Sequence, residues 1–189
     1  MIRDPESWTV RISSDLELNF LIYVASSFGL FESETSNMSN WSTEKIMMDK
    51  QDIQNLKDQW NSCWNKVILK KMNPKTDILS IPDFKTIENM ELRMACNRVW
   101  KSYIDWWYMP AGGQCAMYYW EDKPNILKYV QEYEDQVGRR IKTFHLTIDL
   151  IYTGFDKPIE VNDEYIIMPI RSDYLLKPDW WVKRFKERY

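Results

Sequence analysis

Between Arg140 and Tyr152 the chain alternates for thirteen positions: Phe144, Leu146, Ile148, Leu150 and Tyr152 fall on one side, Thr143, His145, Thr147 and Asp149 on the other. A period of two sustained over that length is the pattern of a β-strand with one apolar and one polar face. The fold therefore contains a sheet. A polar second face suits an antiparallel sheet, because parallel sheets are usually covered on both sides, so the expected sheet is small and mainly antiparallel. A shorter alternation of Trp8, Val10 and Ile12 against Thr9 and Arg11 predicts a first strand. Turns at Asp156–Pro158 and Asn162-Asp163 bracket strands at Ile159–Val161 and Tyr165–Ile170, a meander, and Glu44–Met48 reads as a short additional strand.

Elsewhere the apolar spacing is helical. Ser14-Asp15 supplies a cap for a helix carrying Leu16, Leu18, Phe20, Leu21 and Val24, which Gly29 closes. Asp49 caps the clearest helix, Lys50–Lys71, with Ile53, Leu56, Trp60, Cys63 and Val67 in one stripe and Asn73-Pro74 as its stop. Pro82-Asp83 opens a second long helix expected to reach Tyr108. After the glycine pair Gly112-Gly113, Cys115–Trp120 reads as a short strand, Pro124–Val137 as a helix ended by Gly138, and Pro178 starts a terminal helix. Glu32–Thr43, rich in Ser, Thr and Asn, reads as a loop. No composition shift divides these pieces, so residues 1–189 are expected to form one α+β domain of three to four helices on the sheet.

Composition narrows the function. The longest apolar stretch, Leu16–Phe31, is interrupted by Glu17, Asn19 and serines, so no membrane span is expected, and the N-terminus shows no secretory signal. Cys63, Cys96 and Cys115 lie 33 and 19 residues apart, which fits neither a disulfide framework nor a zinc site, and a cytoplasmic protein with reduced thiols is expected. The net charge is −3, with 10 acidic and 5 basic residues in positions 1–60. That acidic balance argues against nucleic acid as the partner even where Arg93, Arg98 and Lys101, or Lys183, Arg184, Lys186 and Arg188, stand among tryptophans. The acidic groups Glu132/Glu134/Asp135 and Glu160/Asp163/Glu164 match no calcium loop and read as solvated surface, so no metal and no cofactor is expected.

Two candidate sites remain. Ten Trp, eleven Tyr and seven Phe make 15% of the chain, more ring surface than one interior of this size readily hides. Neighbours on a helix point about 100° apart, so Trp106 and Trp107 are not both expected in one narrow core. Trp106, Trp107, Tyr108, Tyr118 and Trp120 are accordingly the candidate partner-binding residues, near the break at Pro110–Gly113. The alternative is a small hydrolase or transferase with Cys115 as nucleophile and His145, the only histidine, as its base, supported by Asp149 or Asn162. The absence of any local nucleophile signature weighs against it. In composition the chain resembles the small, acidic, tryptophan-rich immunity and inhibitor proteins of bacteria, a likeness carried by no particular motif. The favoured expectation is a non-enzymatic protein that binds and neutralises another protein, a basic one fitting the acidic balance of residues 1–60, with a homodimer as a further option.

Overall fold

Asp15 decides where the first strand ends and the first helix begins. Its backbone is extended, and its carboxylate accepts from the Leu18 N–H at 2.8 Å, an N-cap that satisfies one orphan donor of the helix. In this computed structural model, which describes residues 8–31, 46–72 and 78–189, the order is β1 (Thr9–Ser14), α1 (Leu16–Ser27), α2 (Lys50–Met72), α3 (Met90–Tyr108), α4 (Gly113–Glu121), α5 (Ile126–Val137), β2 (His145–Ile151), β3 (Ile159–Glu160), β4 (Tyr165–Pro169) and α6 (Pro178–Arg188). The fold is α+β, with six α-helices among the described residues rather than three or four. The expected loop Glu32–Thr43, part of the strand expected at Glu44–Met48 and the stop at Asn73-Pro74 lie outside the described residues; Ile46–Met48 are not in a strand.

The sheet has the order β1-β2-β4-β3. β1 and β4 both run parallel to β2, and only the two-residue β3 is antiparallel, against β4. The sheet is therefore mixed rather than mainly antiparallel, whereas the expected strands on either side of the Asn162-Asp163 turn do pair antiparallel, as β3 and β4. β1 and β2 are separated in the chain by α1–α5, a connection long enough to bring β2 back in the same direction. The alternation itself holds: Leu146, Ile148 and Leu150 are buried, while His145 is exposed and Thr147 half-buried. What departs from the rule for parallel sheets is that this one keeps a polar face.

Two segments fold differently from expectation because of what they must bury. Residues 82–86 form turns, and α3 begins only at Met90. Phe84, at φ 54°, is driven into the core against Phe20 (ring centroids 5.1 Å apart), and the turn is held by Phe84 N–H donating to Ser80 O at 2.9 Å and Thr86 Oγ1 donating to Ile78 O at 2.6 Å. Cys115–Trp120 belongs to helix α4, not to a strand. The helical period puts Gly113 and Met117 inward and Cys115, Tyr118 and Tyr119 outward, and packing of α4 on α3 and β1 overrides the local strand preference of its aromatics. The glycine pair is what permits that packing. A Cβ at Gly112 would collide with the Trp106 carbonyl oxygen, and one at Gly113 with the Trp106 indole and, at 2.8 Å, with Trp107.

Most of the aromatic excess is interior. Tyr103, fully buried, contacts Phe20, Tyr23, Trp100, Trp106 and Trp107 with centroids 5.1–6.0 Å apart, and its hydroxyl donates to Leu16 O at 3.1 Å. At the other end of the molecule Phe144 stacks on Tyr189 at 4.0 Å, and Phe185 joins Phe144 to Tyr133. α6 is tied to the β3–β4 turn by Arg184, which is buried, pairs with Glu160 at 2.9 Å and donates to Asp163 O at 2.9 Å. Arg188 adds Asp163 at 2.7 Å. The terminal basic cluster and the acidic turn are thus in part each other's partners.

Asn19 links α1 to the sheet. Beyond the Ser14–Leu150 pair, β1 has turned into its helix and offers β2 no further backbone. The Asn19 amide takes its place, donating to Leu150 O at 2.9 Å and accepting from Tyr152 N–H at 2.8 Å, with a second donation to Asp15 O at 2.8 Å.

Candidate functional site

The polar face of the sheet is the floor of a cleft of about 580 Å³. Strand register builds it in rows: Arg11 stands beside Thr147, and Thr147 beside Tyr165, while one row further on Ser13 stands beside Asp149. Thr9 pairs with His145 at the near end. Asp15 and Ser14 come from the β1–α1 junction, Lys71 from the end of α2, and Asn162 and Glu164 from the β3–β4 turn. The Ser14 N–H, left unpaired as β1 ends, donates to Glu121 Oε1 of α4 at 2.7 Å.

Asp149 is the buried centre of this face. Its two oxygens accept from Ser13 Oγ at 3.1 Å and from the Tyr165 hydroxyl at 2.9 Å. Burial raises its pKa above the ordinary carboxyl value, and the Asp15 charge adds to the rise; the Tyr165 and Ser13 hydrogen bonds and the Lys71 charge oppose it without cancelling it. Tyr165 is pushed upward, first by burial and then by the Asp149 charge, so its hydroxyl stays a donor. Burial works against the Lys71 ammonium, but Asp15, to which it is hydrogen-bonded, outweighs that cost with help from Asp149 and Glu17, and its pKa rises. Lys70 pairs alongside with Glu17 at 3.0 Å. The arrangement is a floor of charged groups and hydroxyls that bond to one another. Among the described residues no group of three or more His, Cys, Asp and Glu side chains is placed to hold a metal ion.

The structure brings together three of the four residues of the cysteine alternative: His145, Asp149 and Asn162 all line the cleft. Cys115 is on the outward face of α4 and is not part of that lining. The other two thiols are buried and free, and burial raises the Cys63 pKa to about 11.

The partner-binding candidates divide. Trp107 is 2% exposed and packs on Tyr103 and Gly113, so it is a core residue, not a surface one. Trp106 is half-buried among Tyr23, Tyr103 and Tyr152, and Trp120 half-buried with its ring edge-on to Tyr119. Tyr108 and Tyr118 are 59% and 54% exposed, joined by Tyr119 at 60% and by Met109. Lys123 stands over the Tyr119 ring at 3.9 Å. A second concavity, of about 770 Å³, is lined by Phe31, Trp60, Trp64 and Phe155, whose rings contact one another at 5.4–5.7 Å.

Ser13, Tyr165, Lys71 and Asp15 were not recognisable as site residues from sequence. The one available signal was the pair of polar alternations, Arg11/Ser13 and His145/Thr147/Asp149, which define the floor once the two strands are known to be neighbours. No helix of the described residues is long and apolar enough to cross a membrane. The fold and site define an α+β chain with a polar cleft on one face of a mixed sheet. Comparison with family models, with curated proteins and with solved structures gave no match.

Proposed function

We propose that this is a non-enzymatic binding domain that recognises and neutralises a basic protein, docking it on the corner where α3 meets α4. The observation that carries this reading is the outward placement of Tyr108, Tyr118 and Tyr119, each more than half exposed, in a chain that buries most of its other rings. Tyrosine offers a large rigid contact area at small entropic cost, and Met109 beside Tyr108 adds an adaptable one. The sign of the partner follows from charge. The chain carries −3, a balance that favours encounter with a basic partner. A cytoplasmic location fits the three free thiols.

The test is to capture the partner with the wild-type protein, purify it separately, and measure rebinding by calorimetry. Tyr118→Ala and Tyr119→Ala are each expected to weaken binding about tenfold or more, as anchor residues do, with affinity falling as salt rises. Equal binding by folded variants, or a partner that proves to be a second copy of this chain, would overturn the reading.

A further inference from the structure

The cleft shares none of its lining with the tyrosine corner, and its charges are arranged for a different task. Its interior groups already have partners: Asp149 accepts from Ser13 and Tyr165, and Asp15 is paired with Lys71. Two other charged side chains face the cleft, Arg11 and Glu164. Both are exposed, and neither makes an ion pair or a side-chain hydrogen bond among the described residues. They are opposite in sign yet do not meet. The register explains why: Arg11 on β1 pairs with Thr147 on β2, and Thr147 with Tyr165 on β4, next to Glu164. The two backbones are therefore two strand spacings apart, about 10 Å, with the Thr147 hydroxyl on the strand between them.

We propose that the cleft binds a small zwitterion, a carboxylate and an ammonium group joined by a short carbon chain, with the carboxylate on the Arg11 guanidinium and the ammonium on the Glu164 carboxylate. The guanidinium fork matches a carboxylate through two parallel hydrogen bonds. Glu164 supplies an acceptor for the ammonium. The backbones set a separation of about 10 Å within which the two side chains can adjust, and an amino acid and its longer ω-amino homologues sample the span a bridging ligand would need. The interior groups beneath keep the floor polar, and their hydrogen bonds to one another leave Arg11 and Glu164 as the charges presented to a ligand. A cleft of about 580 Å³ lies within the range of small-molecule sites and leaves room for bridging water. A simple carboxylate or a simple amine leaves one of the two side chains unmatched, so selectivity for both charges on one molecule follows from the geometry.

The experiment is calorimetric titration of the full chain with glycine, β-alanine, γ-aminobutyrate and ε-aminocaproate, with acetate and methylammonium as single-charge controls. At least one zwitterion is expected to bind about tenfold tighter than either control, the worth of one additional charge-assisted hydrogen bond. Arg11→Gln and Glu164→Gln are each expected to weaken that ligand by about the same factor while keeping the wild-type melting temperature, since both side chains are exposed and unpaired. Three results would overturn the proposal: no binding by any member of the series, equal binding by a single-charge control, or affinity unchanged in both folded variants. Capture of a protein partner through Tyr118 is a separate readout and does not depend on the outcome.

Discussion

Replacing Asn19 by Leu tests whether a side chain completes the sheet where β1 leaves it. Asn19 is fully buried, and its amide bonds to Leu150 O and Tyr152 N–H replace the strand neighbour that β2 lacks beyond Ser14. Leucine has the same branched shape and the same number of side-chain heavy atoms, so no cavity is left. It leaves a buried carbonyl and a buried N–H without partners, at about 1–3 kcal/mol each. Part of that cost is offset by burial of the added apolar surface, and the net loss is expected to be about 3 kcal/mol. For a chain of this length that lowers the melting temperature by roughly 6–12 °C. Urea denaturation at pH 7, followed by far-ultraviolet circular dichroism, reads the loss directly. Asn19→Asp is the matched control: it keeps the acceptor for Tyr152 N–H, loses the donor to Leu150 O, and places a carboxyl group near Asp15. Burial raises the pKa of such a group on folding, so Asn19→Asp should lose more stability at pH 7 than near pH 4. A loss below about 1 kcal/mol for Asn19→Leu would mean that the two backbone groups find other partners, and the argument that the amide stands in for a strand would be wrong.

The pKa of Asp149 is raised on folding, so the native state keeps its proton at pH values where the unfolded chain has released it, and its contribution to stability falls as pH climbs from about 4 through the raised folded value. Asp149→Asn removes that contribution; the wild type should lose stability relative to the variant between pH 4 and pH 7 in chemical denaturation, and a difference that is constant or opposite in sign contradicts the assignment. Gly113→Ala should destabilise by about 2 kcal/mol or more, because the new methyl group meets two tryptophan rings on a packed helix, and Trp107→Ala should cost roughly 3–5 kcal/mol, whereas Tyr118→Ala should change stability by less than about 0.5 kcal/mol. Thermal melts of the three variants, compared side by side, check this ordering. In alkylation of the native protein one thiol, Cys115, should react rapidly, with Cys63 and Cys96 modified only on unfolding; mass spectrometry of the labelled peptides distinguishes them, and fast labelling of Cys63 would contradict its burial.

The features that could be read from the chain are those whose causes lie within a few residues. Asp15 caps α1 and Asp49 caps α2 because a side-chain oxygen reaches an N–H three residues on. Gly138 ends α5 at φ 69°, where a residue with a Cβ would be strained. The alternation at Leu146, Ile148 and Leu150 marks the buried side of β2, and the stripe through Leu56, Trp60, Cys63 and Val67 the buried side of α2, since each element's own period turns those residues toward one neighbour. What that neighbour is was a different matter. The pairing of Ser13 with Asp149 spans 136 residues of chain, and no local pattern records it, so the parallel direction of β1 and β2 was misjudged from the polar face alone. The same distance hides the site. The alternation places Asp149 on the polar side of its strand, as a candidate support for His145, but only the approach of Ser13 and Asp15 from the β1–α1 junction, Lys71 from α2 and Tyr165 from β4 makes it a buried carboxyl with both oxygens occupied. Trp106 and Trp107 show the same limit on a helix: α3 carries them on adjacent positions, but it is the close seat of Gly113 that buries Trp107. Periodicity reports which side of an element is apolar. Which element covers it, and which polar groups are thereby taken out of water, is decided by packing between segments far apart in the chain, because burial and electrostatic environment depend on distances in space.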